Sequence, residues 1–176
     1  MLFDMTTVAT VDGSTYASDD WSIAMKARDS ASNDVDTHYS AVHTEIGQIL
    51  IANIGTNIIW GTLAIGASSD STNNATQVIE QQGNTPIAIS ASATSDMVCT
   101  RGSIPLTNLS YVTTDTSGGT PLSTTPTQVS GFTVPIMTSS SPQTGTLYWN
   151  ITIPSGSAGS ISGTCSGTIV ETASAA

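Results

Sequence analysis

The chain has 176 residues, with 3 Lys and Arg against 13 Asp and Glu for a net charge of -10, 38% apolar residues and only 9% charged ones. Ser and Thr supply roughly a third of it, a mixture too β-branched and too regularly patterned for disorder and too poor in Lys, Glu and Arg for a helical domain. Nucleic acid and anionic membrane surfaces, which need a basic face, are excluded as partners, and the length suffices for a large core.

In chain order, Met1 to Val11 reads as a short strand that ends at the turn dipeptide Asp12-Gly13. Its start is unusually apolar for a terminus, with Met1, Leu2, Phe3 and Met5 followed by Val8. Two readings stand: a first strand tucked into its own sheet, or a strand donated to the open edge of a neighbouring subunit, with those five residues as the contact. Apart from that start the segment passes at once into polar alternation, without a signal-peptide or membrane-spanning run, so the chain reads as a processed mature protein or a piece of a longer one.

Next, Trp21, Ile23, Met25 and Ala27 alternate with polar or small residues, and His38 to Ile46 returns as a partner strand. The loop between them carries Asp29, Asn33, Asp34 and Asp36, and eight of the 13 acidic residues fall in the first 45 positions. Oxygen ligands gathered on a loop suit calcium, with Asp29, Asp34 and Asp36 as the candidate carboxylates. The spacing is not that of an EF-hand, because no Gly holds the sixth position and no Glu the twelfth, and a solvated acidic loop is the simpler explanation of the cluster. No cofactor other than this possible calcium is expected.

The Trp21–Asn33 stretch, Trp-x-Ile-x-Met-x-Ala-Arg-Asp-Ser-x-x-Asn, resembles the closing hairpin of immunoglobulin-like repeats in microbial surface proteins. Only about 20 residues precede it, whereas such a sandwich needs about 100. The hairpin therefore joins the downstream sheet or is completed by another chain. Residues 1–47 are taken as this strand and hairpin, and 48–176 as the sandwich.

The most apolar part runs from Ile46 to Ile65, read as two core strands carrying Ile49, Ile51, Ile54, Ile58, Ile59, Trp60, Leu63 and Ile65 around a turn at Gly55-Thr56-Asn57. Beyond it come Gln77 to Gln82 and then Gly83-Asn84-Thr85-Pro86-Ile87. The sequence Ile58-Ile59-Trp60-Gly61-Thr62-Leu63 followed by this second stretch resembles the strand, Trp-Gly-x-Leu, strand, Gly-Asn-x-Pro-Ile pattern of immunoglobulin-like modules in archaeal and bacterial cell-surface proteins. The resemblance continues through Asp96-Met97, Gly102-Ser103-Ile104-Pro105 and Asn108 to the end of the chain, about two-thirds of its length. It implies an all-β, immunoglobulin-like antiparallel β-sandwich, and its motifs define turns and not chemistry.

Between Leu109 and Thr146 the chain is rich in Ser, Thr, Gly and Pro and reads as long exposed connections around one strand with Phe132, Val134 and Ile136. At the end, Leu147, Trp149, Ile151 and Ile153 alternate with Tyr148, Asn150 and Thr152, and Ile161, Gly163, Cys165, Gly167 and Ile169 share one face of a second run. Pro154-Ser-Gly-Ser-Ala-Gly supplies turn residues between them, so the two runs form a hairpin with one wet and one dry side. Because a lone hairpin is marginal, the dry side must be covered by a second sheet.

Cys99 and Cys165, 66 residues apart, fit no zinc or redox dyad. They are a disulfide if the chain lives outside the cell, where such a loop is stabilising by roughly 4 kcal/mol on the chain-entropy model, or else two small buried residues. Asn74, Asn108 and Asn150 fit the N-glycosylation pattern, of which the abundance of Ser and Thr would produce two or three by chance; Asn150, on the outward face beside Tyr148, is the best placed.

Catalytic candidates are few. His38 and His43 on one strand face opposite sides, and no Gly-x-Ser-x-Gly, Ser-x-x-Lys or His-Glu-x-x-His occurs, so no enzyme is expected. Two functions remain. One is an extracellular structural subunit that assembles with itself into a filament or surface layer by β-strand addition, without membrane insertion. The other is an adhesion or binding module, a stalk-like domain holding calcium or sugar.

Overall fold

The computed structural model describes residues 24–26, 28–31, 38–39, 47–55, 57–137, 141–156 and 160–176. Its strands are β1 (Ala24–Met25), β2 (His38–Tyr39), β3 (Ala52–Ile54), β4 (Ala75–Gln81), β5 (Ile87–Ala93), β6 (Met97–Arg101) and β7 (Ser103–Ile104), then a 3-10 turn at Leu106–Asn108, then β8 (Leu109–Val112), β9 (Thr120–Pro121), β10 (Thr127–Gln128), β11 (Gln143–Ile151), β12 (Ser162–Ser166) and β13 (Ile169–Ala175). No α-helix occurs among the described residues. The short strands β1 and β2 pair with each other, Ala24 opposite Tyr39, as expected for a hairpin there.

The others build three antiparallel sheets packed around one apolar core, a β-sandwich. One layer is the five-stranded sheet β3-β4-β11-β8-β9. Its inner face is set by strict alternation: Ala75, Gln77, Ile79 and Gln81 on β4, Leu147, Trp149 and Ile151 on β11, and Leu109 and Tyr111 on β8 are all buried. Trp149 is fully buried, with the Tyr111 ring edge-on at 6.0 Å between centroids.

The facing layer is made of β10-β5-β13 and β12-β6-β7. These two sheets are one ribbon with a kink. Ala93 lies opposite Ile169, Thr94 N donates to Thr168 O, and Val98 lies opposite Ser166, so 87–101 and 162–175 run side by side with a two-residue slip between the ladders. Gly167 sits at the kink, where an added Cβ would stand 3.3 Å from Met97 Cα. Cys99 and Cys165 are directly opposite in this ribbon, Cα atoms 3.8 Å apart, and are disulfide-bonded.

Three expectations are corrected. The runs 147–153 and 161–169 are not a hairpin: both edges of β11 are taken, by β4 and β8, and the connection carries the chain across to the other layer, where β12 and β13 join β6 and β5. The single dry face from Ile161 to Ile169 is also absent, because a bulge between Ser162 and Cys165, with Gly163 at φ 85°, breaks the alternation, and the run splits at Gly167.

Nor is Ile46–Ile65 a pair of core strands. Only β3 enters a ladder, and Ile49, Leu50 and Ile51 are 40–42% exposed, because 47–51 lies along the outer edge of the β4–β5 turn. Asn84 holds it there, its Oδ1 accepting from Ile49 N and its Nδ2 donating to Gly47 O. The connections after β8 contribute more core than their composition suggests: Leu122, Val129, Phe132, Val134 and Met137 are all buried, and Val134 bridges to Ile87.

Candidate functional site

Where β4, the ends of β8 and β11, and the β12–β13 side of the ribbon come together, the sandwich does not close, and a cleft of about 740 Å³ opens. Residues 57–63 run along it. Ile58, Trp60 and Leu63 turn inward against the core, Ile59 is 74% exposed, and Trp60 Nε1–H donates to Trp149 O at 2.8 Å. The segment is not a strand, because Gly61 stands at φ 71° and Leu63 falls out of step with Ile58 and Trp60, and the backbone of 57–63 forms no backbone hydrogen bond among the described residues. Across the same cleft, β12 and β13 each pair on one side only among the described residues, with β6 and β5. Two backbone edges without partners among the described residues therefore line one opening of mixed polar and apolar surface.

A short polar line crosses the floor. Trp149 Nε1–H donates to Gln77 Oε1 at 3.0 Å, and Gln77 Nε2 donates to Gly55 O and to Glu171 Oε2, both at 2.8 Å. The other carboxylate oxygen, Glu171 Oε1, is buried and has no hydrogen-bond partner. Burial pushes the Glu171 carboxyl above its ordinary value of 4.5, against the opposing pull of the Gln77 hydrogen bond. Chemically, the cleft offers apolar area, free backbone groups and one acceptor short of a donor. Among the described residues it is lined by no other titratable side chain, Cys165 being bonded to Cys99.

Glu171 and Gln77 were missed in the sequence, although a signal existed. Glu171 shares parity with Ile169 and Ala173, and Gln77 with Ala75 and Ile79, so each is a polar residue on an apolar face.

The residues expected to act are dispersed. Asp29 is exposed, and its Oδ1 accepts from Ala31 N in a local turn, while Asp34 and Asp36 lie outside the described residues. Among the described residues no group of three or more His, Cys, Asp or Glu could hold a metal ion. Met1, Leu2, Phe3, Met5 and Val8 also lie outside the described residues, as does His43.

All three glycosylation-pattern asparagines use the nitrogen that a glycan would occupy. Asn74 Nδ2 donates to Asp115 Oδ1 and Thr116 O, Asn108 Nδ2 to Thr152 O, and Asn150 Nδ2 to Thr116 O and Gly118 O. The expectation that Asn150 is outward and accessible is corrected, for it is 4% exposed beneath the 113–119 loop whose carbonyls it satisfies. The alternation places it on the outer face correctly, but the loop then covers that face.

Against known proteins the chain stands alone: no protein-family model, no curated protein and no solved structure matches it.

Proposed function

We propose that the protein is a non-enzymatic, extracellular structural subunit that assembles with copies of itself into a filament or surface layer by β-strand addition. The observation that supports this reading is the pair of backbone edges on one cleft that have no ladder partner among the described residues, since unpaired backbone donors and acceptors are what an added strand satisfies. The Cys99–Cys165 disulfide suits an oxidising compartment. No helix of the described residues is long and apolar enough to cross a membrane. A net charge of -10 keeps subunits apart unless a specific contact holds them.

Negative-stain electron microscopy of the purified protein tests the reading, together with sedimentation after dilution. Strand-exchanged polymers persist at low concentration, and a protein that stays monomeric at every concentration and shows no filaments or layers overturns it.

A further inference from the structure

We propose that the cleft accepts the segment from Phe3 to Val11 of a second copy, with Phe3, Met5, Thr7, Ala9 and Val11 turned inward and Thr7 placed at Glu171. This rests on the strand-addition reading above and gives it an occupant and a register.

The cleft sets three requirements. Its two backbone edges, 57–63 and β12–β13, which have no ladder partner among the described residues, call for an extended segment, which alone presents donors and acceptors on both sides. Its walls, with Ile58, Met97, Ile151 and Ile169 among them, call for large apolar side chains at a spacing of two. Its floor calls for one hydrogen-bond donor, because Glu171 Oε1 is buried with no partner while Gln77 serves only Oε2.

The apolar runs 87–93 and 147–151 are already in ladders, and Met25, within the 21–27 run, is paired with His38. The run from Met1 to Val11 remains. One of its faces reads Phe3, Met5, Thr7, Ala9, Val11, four apolar side chains around a single hydroxyl. That is the pattern the cleft presents in reverse, for Glu171 lies between Ile169 and Ala173 on the inner face of β13. The opposite face carries Leu2 and Val8 with Asp4, Thr6 and Thr10, and its Asp4 would bring a second carboxylate towards an already buried one, which selects the first face and turns Leu2 and Val8 away from the cleft. Handing the segment from each copy to the next does not close on itself, so the product is a fibre.

Single-cysteine variants of the full chain test the register. Thr7→Cys and Glu171→Cys proteins, each checked for a parental melting curve and an intact Cys99–Cys165 bond, are mixed under mild oxidation and the products mapped by mass spectrometry. A covalent dimer linked between positions 7 and 171 is expected, with Thr6→Cys giving little or none. Thr7→Val should weaken assembly about tenfold or more, the loss of one hydrogen bond to a charged acceptor, and Thr7→Ser should retain it. Absence of the link between folded variants, equal linking by Thr6→Cys, or assembly of Thr7→Val at parental strength overturns the proposal. So does a Thr7→Cys/Glu171→Cys double variant that links within one chain and stays monomeric, since the segment would then fill its own cleft. In each of these cases filaments of the parent protein would leave the broader reading standing, and their absence would remove both.

Discussion

At Glu171 the carboxyl loses water between Ile169 and Ala173, and Gln77 replaces only part of what is lost. Its folded value is raised, so the stability it contributes is fully present below the unfolded value of 4.5 and declines as pH rises through the folded value. Glu171→Gln retains an acceptor for Gln77 and removes the charge. The variant should melt higher than the parent at neutral pH, with the difference vanishing on acidification to about pH 4, as thermal scans across pH would read. Asn150 offers a sharper contrast. Asn150→Asp keeps the shape but sets an acceptor against the carbonyls of Thr116 and Gly118, and a loss of about 1–3 kcal/mol is expected by denaturant unfolding.

Among the elements, the edge segment 47–51 shows how a turn motif builds structure. Gln82 N donates to Ile51 O and Asn84 N to Ile49 O, and this close approach leaves no room at Gly83, where a Cβ would stand 2.0 Å from Ile49 O. Gly83→Ala should therefore push 47–51 off the edge, at about 1–3 kcal/mol, and create a protease-sensitive site there while the sandwich remains folded. Limited proteolysis with mass mapping reads the result, and unchanged protection of 47–51 would contradict it. The Gly-Asn-x-Pro-Ile pattern is thus a device for fastening the preceding chain to the sandwich.

For the molecule as a whole, the disulfide joins the two strands of the kinked ribbon, β6 to β12, across 66 residues of sequence. Cys99→Ala with Cys165→Ala should cost about 4 kcal/mol on the chain-entropy model, a fall in Tm of roughly 10 °C for a domain of this size. Calorimetry of parent and variant measures it. The ribbon is also the layer that leaves the cleft open, because β12 and β13 form its last strand and nothing described pairs beyond them.

The sequence by itself determined which residues alternate and hence which side of each strand is dry. Leu147, Trp149 and Ile151 are inward as their spacing requires, the chain is all-β, and its two cysteines could pair only with each other. The tertiary structure decided which strands are neighbours. Period-two alternation encodes a face and carries no information about an edge, so the turn at 154–159 announced a reversal without revealing that β11 would pair with β4 and β8 while β12 and β13 crossed to the other layer. The same limit hid the fate of side chains that depend on distant loops. Asn150 is outward by parity yet buried, Ile49 to Ile51 are apolar yet half exposed, and Glu171 becomes a buried acceptor only because β13 forms one wall of a cleft whose other wall lies more than a hundred residues away in the chain.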